Sequence, residues 1–151
     1  MRAMTARDDI ARLLREATAS MKGDAKGAVA KLETAHCLAL GEGPALAAEI
    51  AEELSRGWAR RRSAAKSLYY AHKATRLAPE RKAAWTTLAK TCELVAARTE
   101  GPRVAARARA LYRAAAHAFE WAASLTKDPE DRRWLLELAR DAAKQAKPPK
   151  G

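Results

Sequence analysis

Apolar residues recur along this chain at intervals of three and four, interrupted at a few Gly and Pro positions, and no stretch alternates as a half-buried strand would. Thr5, with Asp8 three residues on, approximates a capping box and opens a first helix whose stripe is Ile10, Leu13, Leu14 and Ala17, closing near Gly23. Asp24 caps a second through Val29, Leu32, Ala35 and Ala39, stopped by Gly41 and Gly43. Pro44 starts a third, with Leu46, Ile50, Leu54 and Trp58 spaced by fours. Gly57 and Arg60-Arg61-Arg62 interrupt that stripe, and Ser63 caps a fourth helix ending near Leu77. Pro79 opens a fifth, with Trp85, Leu88, Cys92 and Val95, which Glu100-Gly101-Pro102 breaks. A long sixth helix buries Val104, Ala108, Leu111, Ala115, Phe119 and Ala122. Asp128-Pro129-Glu130-Asp131 then starts a seventh, with Trp134, Leu135 and Leu138 facing inward.

This pattern predicts an all-α chain of about seven helices: hairpins over 5–41, 44–77 and 79–126, a capping helix over 129–146 and a frayed tail over 147–151. With 151 residues, one domain over 1–146 is expected. A glycine costs only about 1 kcal/mol inside a helix, so 44–77 could instead form one rod, giving an irregular four-helix-type bundle. Composition agrees with the helical reading. Hydrophobic residues make up 48% of the chain, but much of that content is alanine and aromatics are only 5%.

Pro44 and Pro79 stand 35 residues apart, each between two helix pairs. Ala74 lies five residues before Pro79, and Trp85, Leu88 and Ala89 follow it in an aromatic–leucine–small trio. Leu54, Ser55 and Trp58 repeat that character in the preceding unit; Ser67 and Ala74 supply the small positions of its second helix, as Leu32 and Ala39 do before Pro44. Over about 24–134 the chain therefore resembles a degenerate tetratricopeptide array, whose period is near 34. It departs from that family at Ala51, where an aromatic is usual, and at Ala71, where a large apolar residue is. Pro79 to Pro129 spans 50 residues, and the first helix shows no match. The resemblance implies stacked helix pairs that dock a protein partner, with Thr86, Lys90 and Glu93 toward the groove and the fourth helix on the outer face or rim.

Charge changes the picture most. Residues 56–113 carry 15 Lys/Arg and 3 Asp/Glu, a surplus that accounts for the net +11 of the whole chain. A surplus confined to one block suggests a surface built to meet something acidic. At 100° per residue, Arg62, Lys66, Tyr69, Lys73 and Arg76 share one stripe of the fourth helix, opposite Ala64, Ser67, Leu68, Ala71 and Ala74. Arg60 and Arg61 extend the stripe into the preceding turn. Lys90, Arg103 and Arg107 continue the block, with Arg109 and Arg113 scattered round the sixth helix; Glu93, Glu100 and Glu120 are the expected partners of some of these arginines. The two functional readings are docking to an acidic surface of a protein partner and binding of RNA or a single strand, with Tyr69 as a stacking ring.

Catalytic chemistry has no such signature. Glu33-x-x-His36 has the spacing of a di-metal ligand pair, yet no second Glu-x-x-His exists, and His117-x-x-Glu120 is reversed. His72, beside Tyr69, has no carboxylate in its helix to orient it. No phosphate-binding glycine loop or paired-thiol motif occurs. A non-enzymatic chain without metal or cofactor is expected. Cys37 and Cys92 read as buried, unpaired thiols. Asp8 and Asp9 stand where a secretory hydrophobic region would begin, and no apolar run approaches membrane-spanning length, so a cytoplasmic chain with no membrane partner is expected.

Overall fold

A computed structural model describes residues 3–99 and 101–149. Seven α-helices and one 3-10 turn account for most of these: α1 (Ala6–Ser20), α2 (Ala25–Leu40), α3 (Pro44–Arg60), α4 (Ala64–Leu77), α5 (Lys82–Ala97), the 3-10 turn Pro102–Val104, α6 (Ala105–Ser124) and α7 (Pro129–Ala146). No strand occurs among the described residues. The chain divides into two compact units at Pro79, Met1–Ala78 and Pro79–Gly151.

In the first unit α1 packs on α2, α2 on α3 and α3 on α4, each against its neighbour in the chain. Thr5 and Asp8 form the expected capping box, with Thr5 Oγ1 accepting from Asp8 N and Asp8 Oδ2 accepting from Thr5 N. Hydrogen bonding of the Asp8 carboxylate to the Thr5 backbone N–H, and next to the Thr5 side chain, holds its pKa below the usual value. Asp24 accepts from Gly27 N to start α2. The core runs from Ile10, Leu13 and Ala17 through Val29, Leu32 and Ala39 to Ile50, Leu54 and Trp58.

The break between α3 and α4 is real, so 44–77 is not one rod, but it lies later than the glycine suggests. Gly57 is buried inside α3, where a Cβ would sit 2.8 Å from Val29 Cγ2 and 3.3 Å from Met21 Cε. It is a close-packing residue rather than a stop. The stop is made by Arg61, Arg62 and Ser63. Ser63 N donates to Trp58 O and Arg62 N donates to Ala59 O, both at 3.0 Å, which is a Schellman motif. Arg62 has φ 58°, the left-handed position that glycine usually fills. Ser63 occupies the cap position of α4 without a side-chain capping bond.

In the second unit α5 packs on α6 and α6 on α7. Pro79 does not open α5; it sits in a turn ahead of Lys82, and its carbonyl accepts from Trp85 Nε1 at 2.8 Å. Phe119 is the largest fully buried side chain. Asp128 and Pro129 start α7 as expected, with Asp128 accepting from Glu130 N. Trp134 does not face inward: it is 61% exposed, because Leu135, Ala139, Ala142 and Ala146 define a buried stripe from which it is turned by about 100°. The thiols also differ from expectation. Both are free, Cys92 is buried, and Cys37 is exposed on α2. Of the tail, residues 150 and 151 lie outside the described ones.

Candidate interaction surface

The outward side of α4 is built on a closely packed α3–α4 pair. Ser55 and Ser67 meet at the centre of that pair. Ser55 Oγ donates to Ser67 O at 2.9 Å and Ser67 Oγ donates to Ser55 O at 2.8 Å, with both residues buried. Ala51, Ala71 and Ala74 are also fully buried. Small side chains let the two backbones approach, and this contact turns Lys66, Tyr69, Lys73 and Arg76 to the opposite side.

Two aromatic rings organise the cations. The Trp58 ring, 8% exposed, carries Lys66 Nζ 4.0 Å and Arg61 Cζ 4.9 Å from its centroid. Tyr69 is 54% exposed, packs edge-on against Tyr70 at 5.0 Å, and has Lys73 Nζ 5.7 Å from its centroid. Arg61, Arg62, Lys66 and Arg76 are exposed and Lys73 is half-buried. Among the described residues, none of these five cations is in an ion pair. The acid-neutralised cations of this unit lie elsewhere, as in Arg7–Glu42, Lys31–Glu16 and Arg56–Glu53.

The ten residues singled out in the sequence separate into three groups. Arg61, Arg62, Lys66, Tyr69, Lys73 and Arg76 share the α3–α4 hairpin, although Arg62 lies in the turn rather than on the helical stripe. Arg60 lines a different place, a cavity of about 250 Å³ whose walls include Ala17, Met21, Leu32, Glu53 and Arg56. Lys90, Arg103 and Arg107 belong to the second unit. Lys90 is exposed on α5 near Glu93, Arg103 is in the 3-10 turn, and Arg107 is on the first turn of α6. Of the partners expected for the α6 arginines, Glu93 and Glu120 are described: among the described residues Arg103, Arg107, Arg109 and Arg113 make no ion pair, and Glu120 instead approaches His117 at 3.8 Å. Glu100 lies outside the described residues. Glu93 is partly buried and faces Asp141, both of which raise its pKa, while Lys90 opposes them.

Of the three histidines, one is built into the core and two are exposed. His36 is buried, its Nδ1–H donates to Ala47 O at 3.2 Å, and its ring meets Tyr70 edge-to-face at 5.9 Å. Its Nε2 has no partner. Burial first, and Lys73 second, lower its pKa. Partial desolvation and the nearby Arg76 lower that of His72. No group of three His, Cys, Asp or Glu among the described residues could hold a metal ion, and no described helix is long and apolar enough to cross a membrane. The sequence signal missed was Trp58, read as core alone although it positions two cations. Comparison with known proteins gives no match, either to a family model or to a curated protein.

Proposed function

We propose that this chain is a non-catalytic helical-repeat interaction module that docks an acidic surface of a protein partner through the α3–α4 turn and the outward side of α4. One observation carries the reading: Arg61, Arg62, Lys66, Lys73 and Arg76 project from a single hairpin with no ion-pair partner among the described residues. Like charges gathered in this way repel one another, and an acidic partner converts that repulsion into attraction and faster encounter. The paired helices and the 35-residue interval between Pro44 and Pro79 support a tetratricopeptide-like framework, in which helix pairs present an extended surface.

A second reading, RNA or single-strand binding, is favoured by Tyr69, an exposed ring flanked by Lys66 and Lys73. The acidic-protein reading takes precedence because single-strand platforms stack successive bases on several rings. On this face Trp58 is buried under two cations, which leaves Tyr69 as the accessible ring.

Equilibrium binding of the intact chain to poly-L-glutamate and to a single-stranded oligonucleotide of equal length, across a salt series, separates the two. The proposal expects the glutamate polymer to bind at least as tightly as the oligonucleotide at every salt concentration. Tighter oligonucleotide binding, with a slope of about 0.7 log units per log salt for each phosphate engaged, gives the second reading instead. Binding to neither polymer overturns both.

A further inference from the structure

The α3–α4 turn spends stability on an arginine. Residue 62 closes the Schellman motif at φ 58°, where glycine carries no Cβ penalty, and an L residue there is strained. Strain held at one position points to a role for the side chain that imposes it. The side chain here is a guanidinium, exposed in the turn, and along the chain it lies between Arg61 and Lys66, the two cations that Trp58 orders. Arg61 and Lys66 approach the same ring, and that ring is part of the core cluster of the first unit. Their charged groups are therefore positioned before any partner arrives, which reduces the ordering cost of binding. Ser63 leaves the first turn of α4 without a side-chain cap, so the positive end of the helix dipole adds to the same place.

We infer that this turn is the preorganised anchor of the interface: Arg61, Arg62 and Lys66 together hold a pair of carboxylates from an acidic segment of the partner protein, and Arg62 occupies a glycine position because its charge is used there. The inference rests on the docking function proposed above and adds the place and the chemistry of its strongest contact. Tyr69, Lys73 and Arg76 extend the contact along α4 and are secondary to it.

The test uses the intact chain, poly-L-glutamate as probe and thermal unfolding as a second readout. Arg62→Gly relieves the backbone and removes the charge, so it melts about 2–4 °C higher and binds about five- to tenfold more weakly. Arg62→Lys keeps a charge and binds within about twofold of the parent chain. Two results overturn the anchor: Arg62→Gly binding as tightly as the parent while K73E/R76E weakens binding, or Arg62→Gly melting no higher than the parent. The first of these leaves the docking function standing. Unchanged binding by both Arg62→Gly and K73E/R76E removes the docking function as well.

Discussion

The Lys66 ammonium lies 4.0 Å from the centre of the Trp58 ring, and Trp58 is 8% exposed at the end of α3. A cation over an indole face gains about 0.5–1 kcal/mol at an exposed site. Lys66→Met keeps the apolar stem and removes the charge. We expect this change to cost about 0.5–1 kcal/mol in the parent chain and close to nothing in a Trp58→Leu background. Denaturant unfolding followed by circular dichroism measures that coupling, and equal costs in both backgrounds would show that the ring does not hold the lysine.

Ser55 and Ser67 form a second coupled pair, at the centre of the α3–α4 contact. Each hydroxyl is buried and donates to the other residue's carbonyl. Ser55→Ala removes one such bond without altering the close approach, and should cost about 1 kcal/mol. Ser55→Leu forces the helices apart, and overpacking should cost about 1–3 kcal/mol or more. Equal stabilities for the two variants would contradict the packing described here.

Stability should also depend on pH through His36. Burial and Lys73 hold its pKa in the folded state below the ordinary 6.5. The unfolded chain therefore binds the proton more readily. The stability supplied by neutral His36 is complete above pH 6.5 and is lost as the pH falls from 6.5 toward the folded-state value. His72 is shifted in the same direction, with Arg76 beside it. Replacing His36 with Gln should flatten the fall in stability between about pH 7 and 5, by no more than about 1.4 kcal/mol per pH unit. An unchanged slope would mean that His36 titrates alike in both states.

The two cysteines should separate by reactivity. Cys37 is exposed and Cys92 buried, with burial the main cause of a Cys92 thiol pKa raised to about 11. A thiol reagent at pH 8 should label Cys37 in the folded chain and reach Cys92 only on unfolding. Fast labelling of both would place Cys92 outside the core.

Much of the helical framework was legible because its punctuation is local. Thr5 with Asp8, Asp24, Pro44 and Asp128-Pro129 each act within one turn, and each marks a helix start in the structure. The end of α3 was legible only in part, since its stop uses Arg62 in a glycine conformation and no composition signal marks that. Gly57 drew attention as a breaker but answers to Val29 and Met21, contacts made across the fold. Trp134 lies on the margin of its stripe, where spacing alone does not separate inside from outside. The cationic stripe of α4 followed from helical geometry. The support of Arg61 and Lys66 by Trp58 did not, because it spans a turn whose path the periodicity does not describe.

The most direct measurement is the affinity of the intact chain for poly-L-glutamate beside that of a variant carrying Lys66→Glu, Lys73→Glu and Arg76→Glu. None of the three side chains is part of the buried core, and the contact given up is that of Lys66 with the Trp58 ring, worth about 0.5–1 kcal/mol, so the variant should keep its helical circular dichroism and melt cooperatively. The account predicts that it loses at least tenfold in affinity at low salt, and that the difference narrows as salt is added. A folded variant that binds as tightly as the parent chain would contradict the claim that this face is the interaction surface.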